Sequence, residues 1–318
     1  MPNLLDTFLS PEFFFTVIRV TTPILFAAMA AIICIKTGVI NIALEGIMLT
    51  GALAGVLASG FSQNIWIGAL GGIIGGVFIA ALLAYFSLKL KADIILTAIA
   101  LNLMAVGGTV FLMFAVTGDR GATNSVRSLS FPALNLPIIE DMPVVGTILS
   151  GHNILTYLAL LSVFVVWFLM NKTTLGLRMR SVGENPDAAT SVGINVQRIR
   201  VIALLLSGVF ASFGGMYMSM AYLSVFSTNM VAGRGFIALA AATMGQASPA
   251  GSFITSLFFG LMESASYQLQ ALGIPAQFVN MVPYVSVIIG LVAYAQYQQN
   301  RLKKKKNARL LKEETLEA

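Results

Sequence analysis

Amide and carboxylate side chains are rare within the long apolar stretches of this sequence, and four of them could act in function. They are Asn41, Glu45, Asn102 and Glu263. A charged or amide group in hydrocarbon is energetically costly unless it faces protein or water. Each of the four is therefore a candidate for lining a translocation path through a membrane.

Each of these residues also has a structural interpretation. Glu45 follows Asn41 by four residues, which predicts that both lie on one helix face about 10 Å from Gly38, near the membrane boundary. Glu45 then suits hydrogen bonding between packed helices as well as solute contact. The Asn102 amide suits either a neighbouring helix or the edge of a base. For Glu263 we favour the wall of an outward vestibule over a specific site.

Residues for other kinds of chemistry are scarce. The single cysteine, Cys34, and the single histidine, His152, exclude a disulfide framework, a cysteine-based zinc site and a histidine cluster. The sequence contains no Gly-x-Ser-x-Gly and no His-Glu-x-x-His motif, so an intramembrane enzyme is poorly supported. We expect no catalytic residue, no metal and no cofactor on this chain.

The composition places these residues in a membrane protein. Of 318 residues, 57% are hydrophobic and 10% are charged, against roughly a quarter charged in soluble proteins. Residues 301–318 carry seven basic and three acidic groups, which supply +4 of the formal net charge of +6. The rest of the chain is close to neutral, which argues against nucleic-acid binding. The tail is interpreted as a basic cytoplasmic segment that contacts lipid headgroups.

Nine apolar segments lie between charges or turn residues, and most have the length of about 20 residues that a membrane-crossing helix requires. We therefore predict an all-α integral membrane protein with eight to ten transmembrane helices, in which residues 1–300 form one polytopic domain. The seventh segment is too short to cross alone, and broken segments of this kind often mark transport sites. The segments are 13–35, 38–59, 65–88, 94–117, 154–170, 201–222, 236–247, 252–272 and 277–297.

Basic residues in short loops favour the cytoplasmic side of a membrane. Lys89 and Lys91 follow the third segment, five basic residues lie in the loop 171–200, and four consecutive lysines follow the last segment. These positions predict that the loop 171–200 and the C-terminus are cytoplasmic. The loop 118–152 is then external, as the alternation of spans requires.

Two stretches of the sequence suggest an inverted repeat. Lys36 and Arg234 each precede a glycine that opens a broken apolar segment, and two further spans follow in both cases. The first set of three starts inside and the second starts outside, an arrangement in which a substrate path lies at the interface between the repeats. The shared residues are few and small, so chance similarity is an equal alternative.

The loop 171–200 encodes a short helix with both ends specified. Asn185 suits the N-cap, Pro186 the first helical position, Asp187 the positive end of the helix dipole and Gly193 a left-handed stop. About two turns result, which are too short to be stable alone. We expect this helix to dock on another surface, although an ordinary capped loop helix has the same pattern.

The same loop resembles part of a known family. The run Gly183-Glu-Asn-Pro-Asp-Ala-Ala-Thr-Ser-Val-Gly-Ile194 resembles the cytoplasmic loop of ABC-transporter permease subunits of the branched-chain amino acid, ribose and nucleoside type. The stretches 37–46, 100–103 and 233–240 add to the likeness, which covers about residues 38–294. Within this group the chain is most similar to permeases of bacterial nucleoside uptake systems.

The resemblance implies a multi-pass permease in the bacterial cytoplasmic membrane that imports nucleosides by alternating access. The sequence has no Gly-x-x-x-x-Gly-Lys-Ser/Thr phosphate loop, so ATP hydrolysis is expected on a partner ATPase. Other implied partners are an extracytoplasmic solute-binding protein and a second permease, more often unlike this chain than identical to it. The implied coupling helix contacts the ATPase through Gly183, Asn185, Pro186, Asp187, Ala188, Ala189 and Gly193.

A rival interpretation is an ion-coupled secondary transporter of a small polar solute. It would couple the solute to protons or sodium through Glu45 or Glu263 and would need no ATPase. The sequence does not identify the solute.

Overall fold

The computed structural model describes residues 10–135, 145–271, 275, 279, 281–296 and 299–300, so the predicted basic tail 301–318 lies outside the described residues. The described part is almost entirely helical. Two short antiparallel strands, β1 (Ala133–Leu134) and β2 (His152–Asn153), pair within the loop 118–152. A single bridge between Ala122 and Ser227 attaches this loop to the stretch that follows residue 222.

The helices of the described residues are numbered in chain order. They are α1 (Pro11–Ile35), α2 (Leu44–Ser62), α3 (Ile65–Ala84), α4 (Ile94–Thr117), α5 (Val145–Leu149), α6 (Ile154–Lys172), α7 (Thr174–Glu184), α8 (Pro186–Ser191), α9 (Val196–Met216), α10 (Arg234–Met244), α11 (Pro249–Ala271) and α12 (Val282–Gln296). Helices α3 and α9 continue as the π-helices Tyr85–Lys89 and Tyr217–Tyr222. Within the described ranges, α1, α2, α3, α4, α6 and α9 are long and apolar enough to cross a membrane. The prediction of an all-α integral membrane protein is confirmed.

Each of the nine predicted segments overlaps one of these helices, although residue 272 of the eighth and residues 277, 278, 280 and 297 of the ninth lie outside the described residues. The second begins later than predicted, because Gly38 has a φ of +74° and the chain stays non-helical until α2 starts at Leu44. The seventh segment forms the 11-residue helix α10, as its early interruption predicted. The chain therefore has two non-helical stretches that lead into these helices. We call them the broken segments: one is formed by residues 36–43 before α2, and the other ends at the start of α10.

Helix α1 is the centre of the bundle. Every residue from Thr21 to Cys34 is buried, and α6, α9, α10 and α11 pack around it. A helix that is apolar on all sides belongs in a protein interior or a bilayer, and α1 is surrounded by protein. Helix α3 packs against α2 and α9 through buried glycines, among them Gly72 and Gly76, which let the helix backbones approach closely.

The basic loop 171–200 forms an arm of two short helices, α7 and α8, which connects α6 to α9. The side chain of Thr173 starts α7 by accepting a hydrogen bond from the N–H of Gly176 at 3.0 Å. The 19-residue helix α6 separates this arm from the loop 118–152. The arm and that loop therefore lie at opposite ends of the bundle.

Candidate functional site

Asn41 holds the broken segment 36–43 inside the bundle. Its Nδ2 donates to the hydroxyl of Ser207 on α9 at 3.0 Å, and its Oδ1 accepts from the N–H of Ala43 at 3.0 Å. Ser207 lies about 17 Å along α9 from Val196, at 1.5 Å per residue. The prediction that Asn41 lies on one helix face with Glu45 is therefore wrong, because the helix begins only at Leu44. Asn41 precedes α2 and is deep in the bundle, because the chain runs inwards before it becomes helical.

Asn102, on α4, binds the backbone around the start of α2. Its Oδ1 accepts from the N–H of Gly46 at 2.8 Å, and its Nδ2 donates to the carbonyl of Ile42 at 3.0 Å. The first N–H groups of a helix have no partner within that helix, so the amide supplies one. In this structure Asn102 joins α4 to α2.

Glu45, in the first turn of α2, places its carboxylate at the N-terminus of α10. Oε1 accepts from the N–H of Gly233 at 2.7 Å, and Oε2 accepts from the N–H of Gly235 at 2.8 Å. The N-terminal end of a helix dipole favours negative charge, and hydrogen bonds to a carboxylate are stronger than neutral ones. The side chain is buried. Glu45 therefore links the starts of α2 and α10, which follow the two broken segments.

Two glycines make this contact possible. Gly233 has a φ of +82°, a conformation that glycine adopts without a steric penalty. A Cβ atom at position 235 would lie only 2.6 Å from the backbone nitrogen of Glu45. The Gly-Arg-Gly pattern at 233–235 thus has a packing reason, because α10 approaches α2 too closely for a side chain.

Arg234 and Glu263 form an ion pair between α10 and α11. Nη2 of Arg234 donates to Oε1 of Glu263 and to the hydroxyl oxygen of Tyr267 at 3.0 Å, and that hydroxyl donates to the same Oε1 at 2.9 Å. Nη1 of Arg234 donates to the carbonyls of Met230 and Val231 at 3.3 and 3.1 Å. The sequence analysis counted Glu263 among the candidate path residues but not Arg234, although an arginine within an apolar segment is itself a sign of function. Nothing in the sequence marked Ser207 as the partner of Asn41.

The helix predicted from the capping pattern is α8. Oδ1 of Asn185 accepts from the N–H groups of Asp187 and Ala188 at 3.1 and 3.0 Å, and Pro186 is the first helical residue. Gly193 has a φ of +83° just after the helix ends. Both predicted ends of the helix are confirmed.

Most of the surface of α8 is accessible, and Ala189 is its one buried residue. Ala189, which is among the expected ATPase contacts, is 3% exposed because it packs against the chain itself. The face that points away from the bundle carries Asp187, Ala188, Thr190, Ser191 and Val192, and Val192 is 76% exposed. A protein partner would therefore meet this face and not Ala189.

The arm touches the broken segment 36–43 through Gly183, in the last turn of α7. A Cβ atom at Gly183 would lie 2.9 Å from the carbonyl carbon of Lys36 and 3.1 Å from the nitrogen of Gly38. The two backbones are thus in direct contact. Gly183, also expected at the ATPase surface, faces into the protein.

These contacts form one continuous series through the molecule. Helix α8 follows α7 directly, Gly183 of α7 contacts the segment 36–43, and that segment leads into α2. Glu45 of α2 binds the start of α10, where Arg234 pairs with Glu263 of α11. A displacement of the arm would therefore reach the start of α10 through packed backbone and buried hydrogen bonds.

The family model described as branched-chain amino acid transport system / permease component matches residues 13–295. The chain belongs to this family. Nucleoside ABC transporter permease protein NupC of Lactococcus lactis subsp. cremoris is 36% identical over 285 residues, which cover 86% of this chain and 89% of NupC. Guanosine ABC transporter permease protein NupQ of Bacillus subtilis is 33% identical over 283 residues, 86% of this chain and 88% of NupQ. NupP, another guanosine ABC transporter permease protein of Bacillus subtilis, is 26% identical over 300 residues, 91% of this chain and 84% of NupP.

Membership of the branched-chain amino acid permease family decides the class of transporter. The chain is a multi-pass permease subunit of an ABC importer in the cell membrane and is not an enzyme, since ATP hydrolysis lies on a separate subunit. Such a permease works with an ATPase and a solute-binding protein. The alternative of an ion-coupled secondary transporter is therefore wrong.

Proposed function

We propose that this permease imports nucleosides. The observation that carries the proposal is the similarity to NupC and NupQ, which are named as nucleoside and guanosine permeases and which each match 86% of the chain. The family match over residues 13–295 includes both broken segments and the arm. The polar groups at the start of α10 suit an uncharged polar solute.

In this proposal the arm and the C-terminus lie on the cytoplasmic side. The loop 171–200 carries five basic residues, and Lys36 lies at the same end of the bundle beside Gly183. Lysine and arginine in short loops favour the cytoplasm. The loop 118–152, at the opposite end, then meets the solute-binding protein.

Helix α8 is the proposed coupling helix, which meets the ATPase through Asp187, Ala188 and Val192. Asn185, Pro186 and Gly193 fix the ends of this helix, and Gly183 passes the movement of the arm to the segment 36–43. Closure of the ATPase would then reach the bundle through direct backbone contact.

Asn41, Glu45 and Asn102 have a supporting role in this proposal. Their side chains are hydrogen-bonded to backbone groups and to Ser207, so they hold the segment through which the movement passes. Glu263 is left as the candidate for contact with the solute, because one of its carboxylate oxygens has no partner among the described residues.

The second permease of the complex is proposed to be an unlike chain. Bacillus subtilis has both NupQ and NupP, named alike as guanosine permeases, and this chain is 33% identical to one and 26% identical to the other. This difference supports a pore built from two unlike permeases, with this chain in the place of NupQ. Lipid contacts are proposed for the exposed apolar side chains of α4, such as Leu103 and Phe111.

The proposed function is tested by reconstitution into proteoliposomes. The complete transporter, with ATP inside and the solute-binding protein outside, is expected to accumulate radiolabelled uridine, adenosine or guanosine. Omitting the ATPase or ATP should stop the accumulation. Failure to import any of the three, or accumulation by this chain alone, would contradict the proposal.

The assignment of α8 predicts that Val192→Asp releases the ATPase without unfolding the permease. An unpaired carboxylate buried in an interface costs several kcal/mol, so recovery of the ATPase in a pull-down should fall about tenfold or more. The variant charge lies on an exposed position, so membrane insertion should be unchanged.

Two further variants sharpen this test. Gln197→Asp adds the same charge at an exposed position at the start of α9, outside α8, and should keep the ATPase bound. Ala189→Asp buries a carboxylate within the chain itself, so it should lower the yield of folded permease instead. Normal ATPase recovery with Val192→Asp would show that α8 is not the docking element.

A further inference from the structure

A pocket lies beside the ion pair at the start of α10, between α10, α11 and α12. Its volume is about 260 Å³, and its walls include Arg234, Glu263, Ser266, Tyr267 and Tyr284. The contacts that connect the arm to α10 do not use this space. The pocket combines an ion pair, aromatic rings and small side chains, and a few polar groups of this kind fix the orientation of a small organic ligand.

Glu263 lines the pocket, and one of its carboxylate oxygens has no hydrogen-bond partner among the described residues. Its side chain is only 8% exposed. Oε1 already accepts from Arg234 and Tyr267, whereas Oε2 is buried and has no partner among the described residues. A buried acceptor without a donor destabilises a protein, more so when it is charged. A ligand that brings a hydroxyl or amino donor to Oε2 would remove this deficit.

Four of the five N–H donors of Arg234 are already used by the protein. Nη1 of Arg234 is used by the carbonyls of Met230 and Val231, and Nη2 is used by Glu263 and Tyr267. A phosphate or carboxylate would face the unpaired carboxylate oxygen without a cation of its own. The chemistry of the pocket therefore favours an uncharged ligand that donates hydrogen bonds.

Two tyrosine rings supply flat walls for such a ligand. Tyr284 donates its hydroxyl to the carbonyl of Ala232 at 2.8 Å, which fixes the ring close to Gly233. Tyr267 is fixed by its bonds to Arg234 and Glu263. Both rings remain partly exposed. Aromatic rings stack in offset or edge-on contacts, so these walls suit a planar base.

We propose that this pocket is a subsite for an uncharged nucleoside on its way through the permease. A ribose hydroxyl donates to Oε2 of Glu263, and the base lies against the ring of Tyr284. This inference rests on the proposed function and goes beyond it by assigning the site and the group that is recognised. Nucleoside 5′-monophosphates are excluded, because their charge has no partner in the pocket.

Photolabelling of the complete transporter in lipid nanodiscs tests the subsite. The probe is 8-azidoadenosine, and the labelled residue is identified by mass spectrometry. The label is expected on the peptides that contain Tyr267 or Tyr284. Adenosine should compete with the probe, whereas 2′,3′-dideoxyadenosine, adenosine 5′-monophosphate and glucose should compete poorly.

Substitutions at Glu263 and Tyr284 test whether labelling depends on the proposed contacts. Glu263→Gln should lower specific labelling about tenfold or more, since hydrogen bonds to charged groups are the stronger ones. Ser264→Ala, a change in the next residue of α11, which is not on the pocket wall, should label normally. Tyr284→Phe keeps the ring and should retain most of the label, whereas Tyr284→Ala should lose it. If Glu263→Gln fails to fold, the comparison of Tyr284→Phe with Tyr284→Ala still tests the subsite.

The outcomes separate the subsite from the proposed function. Labelling elsewhere, equal competition by the dideoxynucleoside or the monophosphate, or unchanged labelling of both Glu263→Gln and Tyr284→Ala would overturn the subsite. If the wild-type transporter still imports nucleosides in that case, the proposed function stands. If it imports none, the proposed function fails whatever the label shows.

Discussion

Replacing Gly183 by alanine is expected to lower nucleoside import strongly while the ATPase stays bound to the permease. A Cβ atom at this position would lie 2.9 Å from the carbonyl carbon of Lys36 and 3.1 Å from the nitrogen of Gly38. These are backbone atoms of a packed segment, so they have no rotamer through which to yield. The arm must move away from the segment 36–43 instead, and the contact that is proposed to transmit its movement is lost.

The expected size of the effect follows from the packing. Inserting a methyl group into a well-packed region costs about 1–3 kcal/mol, which corresponds to about 5- to 150-fold in a rate that depends on the contact. Import should therefore fall by about that factor, and solute-loaded binding protein should stimulate ATP hydrolysis much less. Both quantities are measured in proteoliposomes, with ATPase retention measured by pull-down on the same preparation.

A matched control exists on α4. A Cβ atom at Gly107 would meet no atom within 4 Å, so Gly107→Ala makes the same change without a clash. Alanine is the better helix former of the two residues, so this variant should transport normally. Normal import by Gly183→Ala would remove the proposed transmission route. Loss of the ATPase from Gly183→Ala would instead assign the residue to the docking surface.

The second large effect is expected at Glu45. Its carboxylate accepts from two N–H groups at the start of α10, at 2.7 and 2.8 Å, inside the bundle. Hydrogen bonds to charged groups contribute about 1.5–3 kcal/mol each. Glu45→Ala removes both and leaves two N–H groups without a partner, so the apparent melting temperature of the permease should fall sharply. Glu45→Gln keeps one acceptor oxygen and should lie between alanine and wild type.

The measurement is thermal unfolding in detergent, followed by size-exclusion chromatography of the fluorescently tagged protein. Glu12→Ala is the control, because Glu12 is an exposed glutamate near the start of α1. We expect it to melt like the wild type. If Glu45→Ala also melts like the wild type but loses import, Glu45 acts on the solute and the supporting role assigned here is wrong.

Local features of the fold were predictable because they depend on residues close in sequence. The capped helix α8 is an example: Asn185, Pro186 and Gly193 specify its two ends through bonds and backbone angles within nine positions. The apolar segments were predictable for a similar reason, since a helix that crosses the bilayer needs an apolar stretch long enough to match its thickness. The early end of α10 followed from the glycine and proline beyond it.

The partners of the polar side chains were not predictable in this way. Asn41 and Glu45 are four residues apart, which suggested one helix face, yet the helix starts between them at Leu44. Asn41 then meets Ser207, and Glu45 meets Gly233 and Gly235. These partners are more than 160 positions away in the chain, and no periodicity within a segment encodes them.

The sequence by itself determined that this chain is a helical membrane protein with a short capped helix at one end, whereas the ABC permease class came from its resemblance to a known family. Composition, segment length and capping residues act locally, so they can be read without the fold. Only the tertiary structure decided that Ala189 of α8 is buried and that Gly183 touches the segment 36–43. It also showed that Glu45 binds the start of α10. These features depend on how helices distant in sequence pack together, because burial and hydrogen bonding between them exist only once the bundle has formed.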